Sequence, residues 1–301
     1  MGQNVNRVKP DPGKNARSGI FFMPKLVLSI LFVFLFFNPL EAAQRYISLA
    51  PSTTEILFAL GLEDEIVGVS SQCNYPEQAK NKPRIGDFSS PNIESIVSLR
   101  PDYIFCTGLE QDPVITQIRG LKLNIYVADP VNTRELFQTV RDIGRITHKE
   151  QAAEQLIQDM QDRIDRITAK ARSIPANERQ KVFLEIWHEP LMSAAKGSFV
   201  DELISLSGGI NIAHDLIRPY CNFSSEKVIS LNPQCIILAY MDKEPPLKLV
   251  KQRFGWGKID AVKSGRVFND INPDLLLRPG PRIVQGLEEI YKRLYPNDEI
   301  R

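Results

Sequence analysis

The sequence predicts an α/β protein with two lobes, each built on a mainly parallel central sheet flanked by helices. Three observations predict this fold: apolar strands alternate with helices, one helix-then-strand phrase occurs twice, and a long amphipathic helix separates the two copies. We expect that helix to join the lobes as a backbone, with a ligand cleft between them. The predicted parts are a signal peptide (1–43), an N-terminal α/β lobe (44–147), a linking helix (148–174) and a C-terminal α/β lobe (175–301).

The N-terminal segment is predicted to direct export rather than to fold with the lobes. Its apolar run "LVLSILFVFLFF" (Leu26–Phe37) follows Lys25 and precedes the small pair Ala42–Ala43, which is the order of a secretory signal. The run is shorter than the roughly 20 apolar residues that a membrane-spanning helix needs. Translation from Met23 would give a signal of conventional length. We therefore expect a cleaved signal, with an uncleaved anchor as the alternative. A lipid anchor is not indicated, because no Cys lies near the cleavage region.

The first lobe is predicted to begin with a strand, a helix and a second strand. "YISLA" and "EIVGVS" have the apolar, β-branched character of strands. Between them, "STTEILFALGL" predicts a helix with Ser52 or Thr53 as its N-cap and Gly61 as its end. A further helix and the strand "LNIYVAD" complete this lobe after the repeated phrase.

The repeated phrase reads "NIESIVSLRPDYI" from Asn92 and "SSEKVISLNPQCI" from Ser224, with Glu94 and Glu226 in register. Asn92 and Ser224 are suited to cap a short helix, because their side chains accept hydrogen bonds from free backbone N–H groups. A proline then ends each helix. The apolar strands "DYIFC" and "QCIILAY" follow, so one helix-strand unit is used twice.

The linking helix is predicted from "KEQAAEQLIQDMQDRIDRITAKARS", which has no Gly or Pro and places apolar residues three and four apart. An ordinary core helix would give the same pattern; its position between the copies favours a connecting role. The second lobe then repeats the order of the first: strand "KVFLEIW", helix "GSFVDELISLSGG" ended by Gly208 and Gly209, the repeated phrase, "GRVFNDI" and a C-terminal helix from about Pro281.

Ligands of parallel sheets bind at the carboxyl ends of strands, so residues after strands are the candidate lining of the cleft. Their mixture of rings, hydroxyls and charges suits a large, partly aromatic ligand. Trp187 could instead belong to the core, and Asp274 with Arg278 could be an ordinary surface pair. The candidates are Pro51, Ser52, Thr53, Cys73, Tyr75, Phe88 and Cys106 in the first lobe and Trp187, His188, Tyr220, Asp274 and Arg278 in the second.

Catalytic, metal and polyanion-binding signatures are lacking. There is no nucleophile elbow, phosphate-binding loop, dinucleotide turn or H-E-x-x-H motif. The three histidines are scattered and the four cysteines match no zinc spacing, so we predict no enzyme, cofactor or metal site. A net charge of +1 without a basic block argues against nucleic acid. Export would permit a disulfide, for which Cys73 and Cys106 are the candidate pair.

The stretches "ISLAPSTTEILFALGLEDEIVGVSSQCNYPEQA", "PNIESIVSLRPDYIF", "GSFVDELISLSGGINI" and "RPGPRIVQGLEEI" together resemble the periplasmic cobalamin-binding proteins of ABC importers. That group belongs to a larger cluster of helix-backbone binding proteins, which also carry haem and ferric siderophores. The resemblance extends from about Arg45 to Tyr295 and implies a monomeric periplasmic receptor. It also implies delivery of the ligand to an inner-membrane permease dimer. Because one rigid helix would join the lobes, we expect small hinge motion on binding.

The resemblance assigns Glu94 and Glu226 to docking on arginines of the permease, although the helix macrodipole alone would favour Glu at these positions. It assigns the aromatic and polar candidates above to the ligand pocket. Cys106 stands where the family has an aromatic residue, so one stacking ring is lost. The stretches "CNYP" and "WHEP" also depart from the best-known cobalamin binders.

Two alternatives to cobalamin transport follow from the sequence. Haem or a ferric siderophore would be the ligand of a similar binding protein, and His188 would be the axial ligand of haem. A tetrapyrrole chelatase, which can have two similar α/β lobes, is a third hypothesis; it would need a base at a metal-insertion site, and export argues against it.

Overall fold

A computed structural model describes residues 43–108, 111–241 and 247–298 of the chain. The predicted signal peptide lies outside the described residues except for its last position. Residues Gln44–Arg301 form one compact unit. The boundaries predicted within this unit stay a prediction; the unit contains two sheets.

The first sheet is entirely parallel, in the order β2-β1-β3-β4. Its strands are apolar, and the two central ones are almost fully buried because helices cover both faces. The strands are β1 (Tyr46–Ser48), β2 (Ile66–Val69), β3 (Tyr103–Cys106) and β4 (Ile125–Val127).

Four helices accompany this sheet, and Asn92 caps one of them by accepting a bond from Ser95 N at 2.8 Å, as predicted. One helix was not predicted: it precedes the linking helix and packs against it where Gly144 lies close to Ala153. The helices are α1 (Pro51–Ala59), α2 (Ile93–Ser98), α3 (Asp112–Gly120) and the unpredicted α4 (Thr133–Ile146).

The predicted N-cap of α1 is wrong. The helix begins earlier, with Ala50 as its N-cap and Pro51 in its first turn. The Thr53 hydroxyl donates to the Ala50 carbonyl at 3.0 Å instead of accepting from a helix N–H. Gly61, with φ +73°, follows the helix end as expected.

The linking helix, α5 (Glu150–Arg172), is confirmed. Its apolar stripe is buried in a core that continues from α1 and α4 into the C-terminal lobe. Because both lobes pack on the same stripe, α5 is a structural backbone of the unit as well as a connection. The buried positions are Ala153, Ile157, Met160, Ile164, Ile167 and Ala171.

The second sheet is mixed, in the order β10-β9-β5-β6-β8, with β7 also paired to β5. The parallel strands β5 (Lys181–His188), β9 (Cys235–Leu238) and β10 (Val267–Phe268) were predicted. The antiparallel pairs formed by β6 were not predicted. The remaining strands are β6 (Leu191–Ala194), β7 (Ile210–Asn211) and β8 (Tyr220–Asn222).

The helices of the second lobe include the predicted second copy of the repeated unit, in which Ser224 accepts from Lys227 N at 3.2 Å. Ser198 caps the helix before it in the same way. The helices are α6 (Phe199–Leu206), α7 (Ser225–Leu231), α8 (Leu247–Gln252), α9 (Asp260–Lys263), α10 (Asp274–Leu277) and α11 (Ile283–Leu294).

The four cysteines are free, so the disulfide considered between Cys73 and Cys106 is not formed. The two thiols lie in separate apolar clusters, one around α1 and the other around the far face of β3. Within the described ranges, no helix is both long and apolar enough to span a bilayer.

Candidate functional site

A buried group of four charged side chains joins the two lobes. Arg282 forms a bidentate pair with Glu55 on α1, with Nη2 to Oε1 at 2.6 Å and Nε to Oε2 at 2.9 Å. Arg278 pairs with Asp274 on α10 at 2.9 Å. Arg282 Nη2 also lies 3.9 Å from the Asp274 carboxylate. We call these four residues the charged quartet; their side chains are between 3% and 13% exposed.

The loop after β2 brings the N-terminal lobe to this quartet. Arg278 Nη1 donates to Asn74 Oδ1 at 2.7 Å. The Arg282 guanidinium lies 3.8 Å from the centre of the Tyr75 ring, which is a cation–π distance. Tyr75 is 43% exposed, so its ring remains accessible beside the charges. The structure thus brings together the predicted site residues Tyr75, Asp274 and Arg278.

Arg278 has hydrogen-bonding capacity that the protein does not use. Its Nε is buried and has no hydrogen-bond partner among the described residues. Native proteins satisfy most buried donors, so an orphan of this kind is typical of a site that a ligand or water completes. Of the four members of the charged quartet, Arg278 is the one whose side chain retains a buried donor without a partner among the described residues.

A second group lies at the carboxyl end of β5, where Trp187, His188 and Tyr240 form an aromatic cluster. The rings of His188 and Tyr240 are stacked at 5.8 Å with 23° between their planes, and Trp187 lies 6.0 Å from Tyr240. Trp187 Nε1 donates to the Glu189 carbonyl at 2.8 Å. Trp187 is half-buried and His188 is exposed, so the cluster presents rings at the surface.

Tyr240 connects this aromatic cluster to a buried ion pair beneath it. Its hydroxyl donates to the Glu185 carboxylate, which is fully buried. Arg253 holds the same carboxylate by two bonds of 2.6 Å. Burial and the Glu185 carboxylate raise the pKa of Tyr240, so its hydroxyl stays protonated as a donor. The hydrogen bond to Glu185 therefore fixes the orientation of the Tyr240 ring from the buried side of the aromatic cluster.

Tyr220 lies on the same face of the second sheet as Trp187. Trp187 pairs with Met192 across β5 and β6, and Ala194, two residues further, pairs with Tyr220. Directly paired residues and their second neighbours share one face of a sheet. Tyr220 is 44% exposed, so this face carries two of the predicted aromatic residues.

Phe88 is half-buried and is held in place by a residue that the sequence did not indicate. The Gln111 side chain is fully buried and donates through Nε2 to the carbonyls of Phe88 at 2.7 Å and Leu49 at 3.0 Å. Its Oε1 accepts from Thr107 N at 3.1 Å. Gln111 thus joins the ends of β1 and β3 to the loop that carries Phe88.

Three of the predicted ligand contacts have fully buried side chains in this structure, so their contact with a ligand stays a prediction. Thr53 donates to the backbone and pairs with the Ser48 hydroxyl at 2.7 Å. Cys73 packs in the core, where Thr54 donates to its sulfur at 3.1 Å. Cys106 is enclosed on β3. In the first turn of α1, Pro51 is half-buried and Ser52 is buried but retains 8% exposure.

Glu94 and Glu226 both occupy the second position of their helices and are exposed. Neither has an ion-pair partner within the described part of the chain. The Ser224 hydroxyl donates to Glu226 at 2.6 Å and lowers the pKa of that carboxyl. The structure places these carboxylates outside the charged quartet and the aromatic cluster.

Several site residues were missed because nothing in their local sequence marks them. Glu55 stands mid-helix and Arg282 stands in "RPGPR" far along the chain, and only the fold brings them together. Tyr240 could have been found, because it ends the predicted strand "QCIILAY" and lies two residues after the end of β9. Among the described residues, no group of His, Cys, Asp and Glu side chains is arranged to hold a metal.

Comparisons with known proteins agree with this architecture. The family described as "Periplasmic binding protein" matches residues 47–272. The chain is 32% identical over 259 residues to an uncharacterized ABC transporter substrate-binding lipoprotein of Bacillus subtilis, covering 84% of this chain and 81% of the relative. It is 34% identical over 227 residues to the vitamin B12-binding protein of Yersinia pseudotuberculosis, covering 73% and 78%.

Among solved structures, the periplasmic haem-binding protein RhuT of Roseiflexus sp. RS-1 superposes with a TM-score of 0.73 at 27% identity. The match covers 85% of this chain and 99% of that one. The fold of this chain is thus shared with a solved periplasmic haem-binding protein. The chain belongs to the periplasmic binding protein family, whose members bind small-molecule substrates for ABC transporters.

Proposed function

We propose that this protein binds cobalamin (vitamin B12) or a related corrinoid and delivers it to the permease of an ABC importer. The observation that carries the proposal is the presence of both rings and an unused guanidinium donor: Trp187 and Tyr220 share one sheet face, and the Nε of Arg278 has no partner among the described residues. A corrin ring offers a large face for stacking, and its amide side chains offer hydrogen-bond acceptors. The 34% identity to a vitamin B12-binding protein supports the same ligand.

Calorimetric titration with cyanocobalamin tests this proposal directly. We expect a dissociation constant in the nanomolar to low micromolar range, which corresponds to roughly 8 to 12 kcal/mol. Trp187→Ala should weaken binding by about 1 to 2 kcal/mol, because it removes a ring that stacks on the ligand. Absence of corrinoid binding would show that the ligand assignment is wrong.

A matched control for Trp187→Ala is Phe254→Ala. Phe254 is also a large aromatic residue and is 98% exposed, but the structure places it outside the aromatic cluster. Its removal should leave the affinity for cyanocobalamin unchanged. Equal losses in both variants would mean that the aromatic cluster is not the ligand surface.

Haem is the second candidate, and the exposure of His188 is the observation that favours it. An exposed imidazole in an aromatic setting suits an axial ligand of iron. Mixing the protein with haemin should then shift the Soret band, and His188→Ala should abolish the shift. His148→Ala is the matched control, since His148 is also exposed but lies between α4 and α5. An unaltered Soret band would exclude axial ligation.

We further propose that residues 1–43 are removed during export and that the mature protein acts in the periplasm. The order of basic, apolar and small residues in this segment supports the proposal. Sequencing of the N-terminus of protein released from the periplasm should begin near Gln44. A retained segment would instead indicate an uncleaved anchor.

A further inference from the structure

Glu55 lies outside the aromatic cluster, yet it is the least exposed member of the charged quartet. Its side chain is 3% exposed and both of its oxygens are bonded to Arg282. It comes from α1 in the N-terminal lobe, whereas the other three members come from the segment 274–282. The charge balance of this segment therefore depends on a residue of the opposite lobe.

The quartet contains two carboxylates and two guanidinium groups, so its formal charges cancel. The distances show how the pairs are divided: Asp274 lies 2.9 Å from Arg278 but 3.9 Å from Arg282, which is occupied by Glu55. Without a carboxylate at Glu55, Arg282 would be an unpaired buried cation, which is unfavourable. The nearest remaining anion to it is Asp274.

Without Glu55, Arg282 would compete with Arg278 for the Asp274 carboxylate, because its position is restricted. Its guanidinium lies on the Tyr75 ring at 3.8 Å, which keeps it beside Asp274. If Arg282 took Asp274 as its partner, Arg278 would lose its carboxylate and retain only the neutral Asn74 contact. The group with the free donor would then face a ligand as an uncompensated cation.

We propose that Glu55 is a positioning residue that determines the charge selectivity of the binding site. By occupying Arg282, it leaves Asp274 to neutralise Arg278, so the site favours a ligand without net charge over an anionic one. The inference rests on the proposed function for the identity of the preferred ligand. Cyanocobalamin carries no net charge and is rich in amides, whereas haemin carries propionate carboxylates that would seek a free guanidinium.

The test compares the affinities of cyanocobalamin and haemin in Glu55→Gln, which removes the charge and nearly preserves the shape. We expect the ratio of the two affinities to move toward haemin by about tenfold, with haemin binding more tightly in absolute terms. Equal weakening of both ligands would mean that Glu55 is only structural, and would overturn the inference. Thermal melts establish that each variant is folded.

Two further variants sharpen the test. In Glu55→Gln with Arg282→Met, the competing cation is gone, so the ratio should return toward that of the parent protein; failure to return would contradict the mechanism. Glu63→Gln is the matched control: Glu63 lines the same open cavity of about 510 Å³ as Glu55, but forms no ion pair among the described residues. It should leave both affinities unchanged.

The outcomes also separate this inference from the proposed function. If the parent protein binds no cyanocobalamin, the proposed function fails, while the gain in haemin affinity still tests Glu55. If Glu55→Gln does not fold, Arg282→Met alone changes the charge of the site in the opposite direction. In that variant Glu55 has lost its cationic partner and adds an uncompensated negative charge. Haemin should then bind more weakly than to the parent protein, and unchanged haemin binding would overturn the inference.

Discussion

The four thiols differ sharply in their access to solvent. Cys73, Cys106 and Cys235 are fully enclosed, whereas Cys221 on β8 is partly exposed. Burial raises the pKa of Cys106 and of Cys235 to about 12, so these thiols stay protonated at neutral pH. Thiolate formation and access both control reactivity, which leaves Cys221 as the reactive position.

We predict that a disulfide reagent such as Ellman's reagent modifies one thiol in the native protein and all four after denaturation. Cys221→Ser should remove the native reaction, while Cys235→Ser should leave it unchanged. Rapid reaction of Cys73, suppressed by cyanocobalamin, would contradict the buried placement and restore Cys73 to the ligand surface. The yield of thiol released from the reagent gives the number of cysteines that react in each variant and condition.

At the scale of elements, the close approach of α10 and α11 sets the position of the charged quartet. A Cβ atom at Gly286 on α11 would overlap the carbonyl oxygen of Leu275 on α10 and lie 3.0 Å from Leu276 Cδ2. Asp274 is the first residue of α10, so any displacement of this helix moves a member of the quartet. The absence of a side chain at position 286 is therefore required by the packing.

Gly286→Ala should lower the free energy of unfolding by about 1 to 3 kcal/mol, because the added methyl group overpacks a helix contact. It should also weaken the binding of cyanocobalamin, since Asp274 is displaced from Arg278. Gly120→Ala is the matched control, because nothing lies within 4 Å of its added Cβ. Urea unfolding and calorimetric titration measure the two effects; a stable Gly286→Ala variant with normal affinity would show that α10 tolerates the shift.

The elements that could be predicted from the sequence are those with a local signal. The duplicated phrase gave both short helices with their caps at Asn92 and Ser224, because capping depends on neighbouring residues only. The apolar stripe of α5 was also predicted from a local signal, the recurrence of apolar residues three and four positions apart. The hairpin of β5 and β6 was not predicted, since its pairing depends on which strands meet in the folded sheet.

The site was less predictable because its contacts, like the pairing of β5 with β6, depend on which segments meet in the folded chain. Position after a strand indicated Tyr75, which is exposed, but it does not determine which side chains point inward. Cys106 follows this rule by position and is nevertheless enclosed by the helices on its face of the sheet. The Glu55–Arg282 pair joins residues far apart in the sequence, so no pattern in one segment could identify it.

The whole molecule is held together by more than its backbone helix. The hydrophobic core that lies on α5 includes residues of both lobes. Polar contacts also cross between the lobes, since Thr133 donates to Glu202 through its backbone N at 2.8 Å and its hydroxyl at 3.0 Å. The Glu55–Arg282 pair is a third connection. These contacts favour a small change of lobe angle on ligand binding rather than wide closure.

Limited movement has a consequence for how a partner could recognise this protein. If the lobes keep their spacing, Glu94 and Glu226 form a fixed pair of carboxylates, one on each lobe. The lowered pKa of Glu226 keeps its carboxylate ionised as pH falls, and protonation removes the charge only below the ordinary range of a glutamate. Two fixed charges suit charge-assisted contacts with a two-sided permease.

Glu94→Arg and Glu226→Arg should therefore leave the affinity for cyanocobalamin unchanged while lowering its transport. Each reversal replaces a contact worth about 1.5 to 3 kcal/mol with a repulsion, so the uptake of radiolabelled cyanocobalamin should fall about tenfold or more, and further in the double variant. Glu150→Arg is the matched control, because Glu150 is also exposed in the first turn of a helix, so its reversal has the same unfavourable interaction with the helix dipole. Loss of ligand affinity in the two docking variants would mean that these carboxylates belong to the ligand site. Normal uptake would mean that the permease recognises another surface.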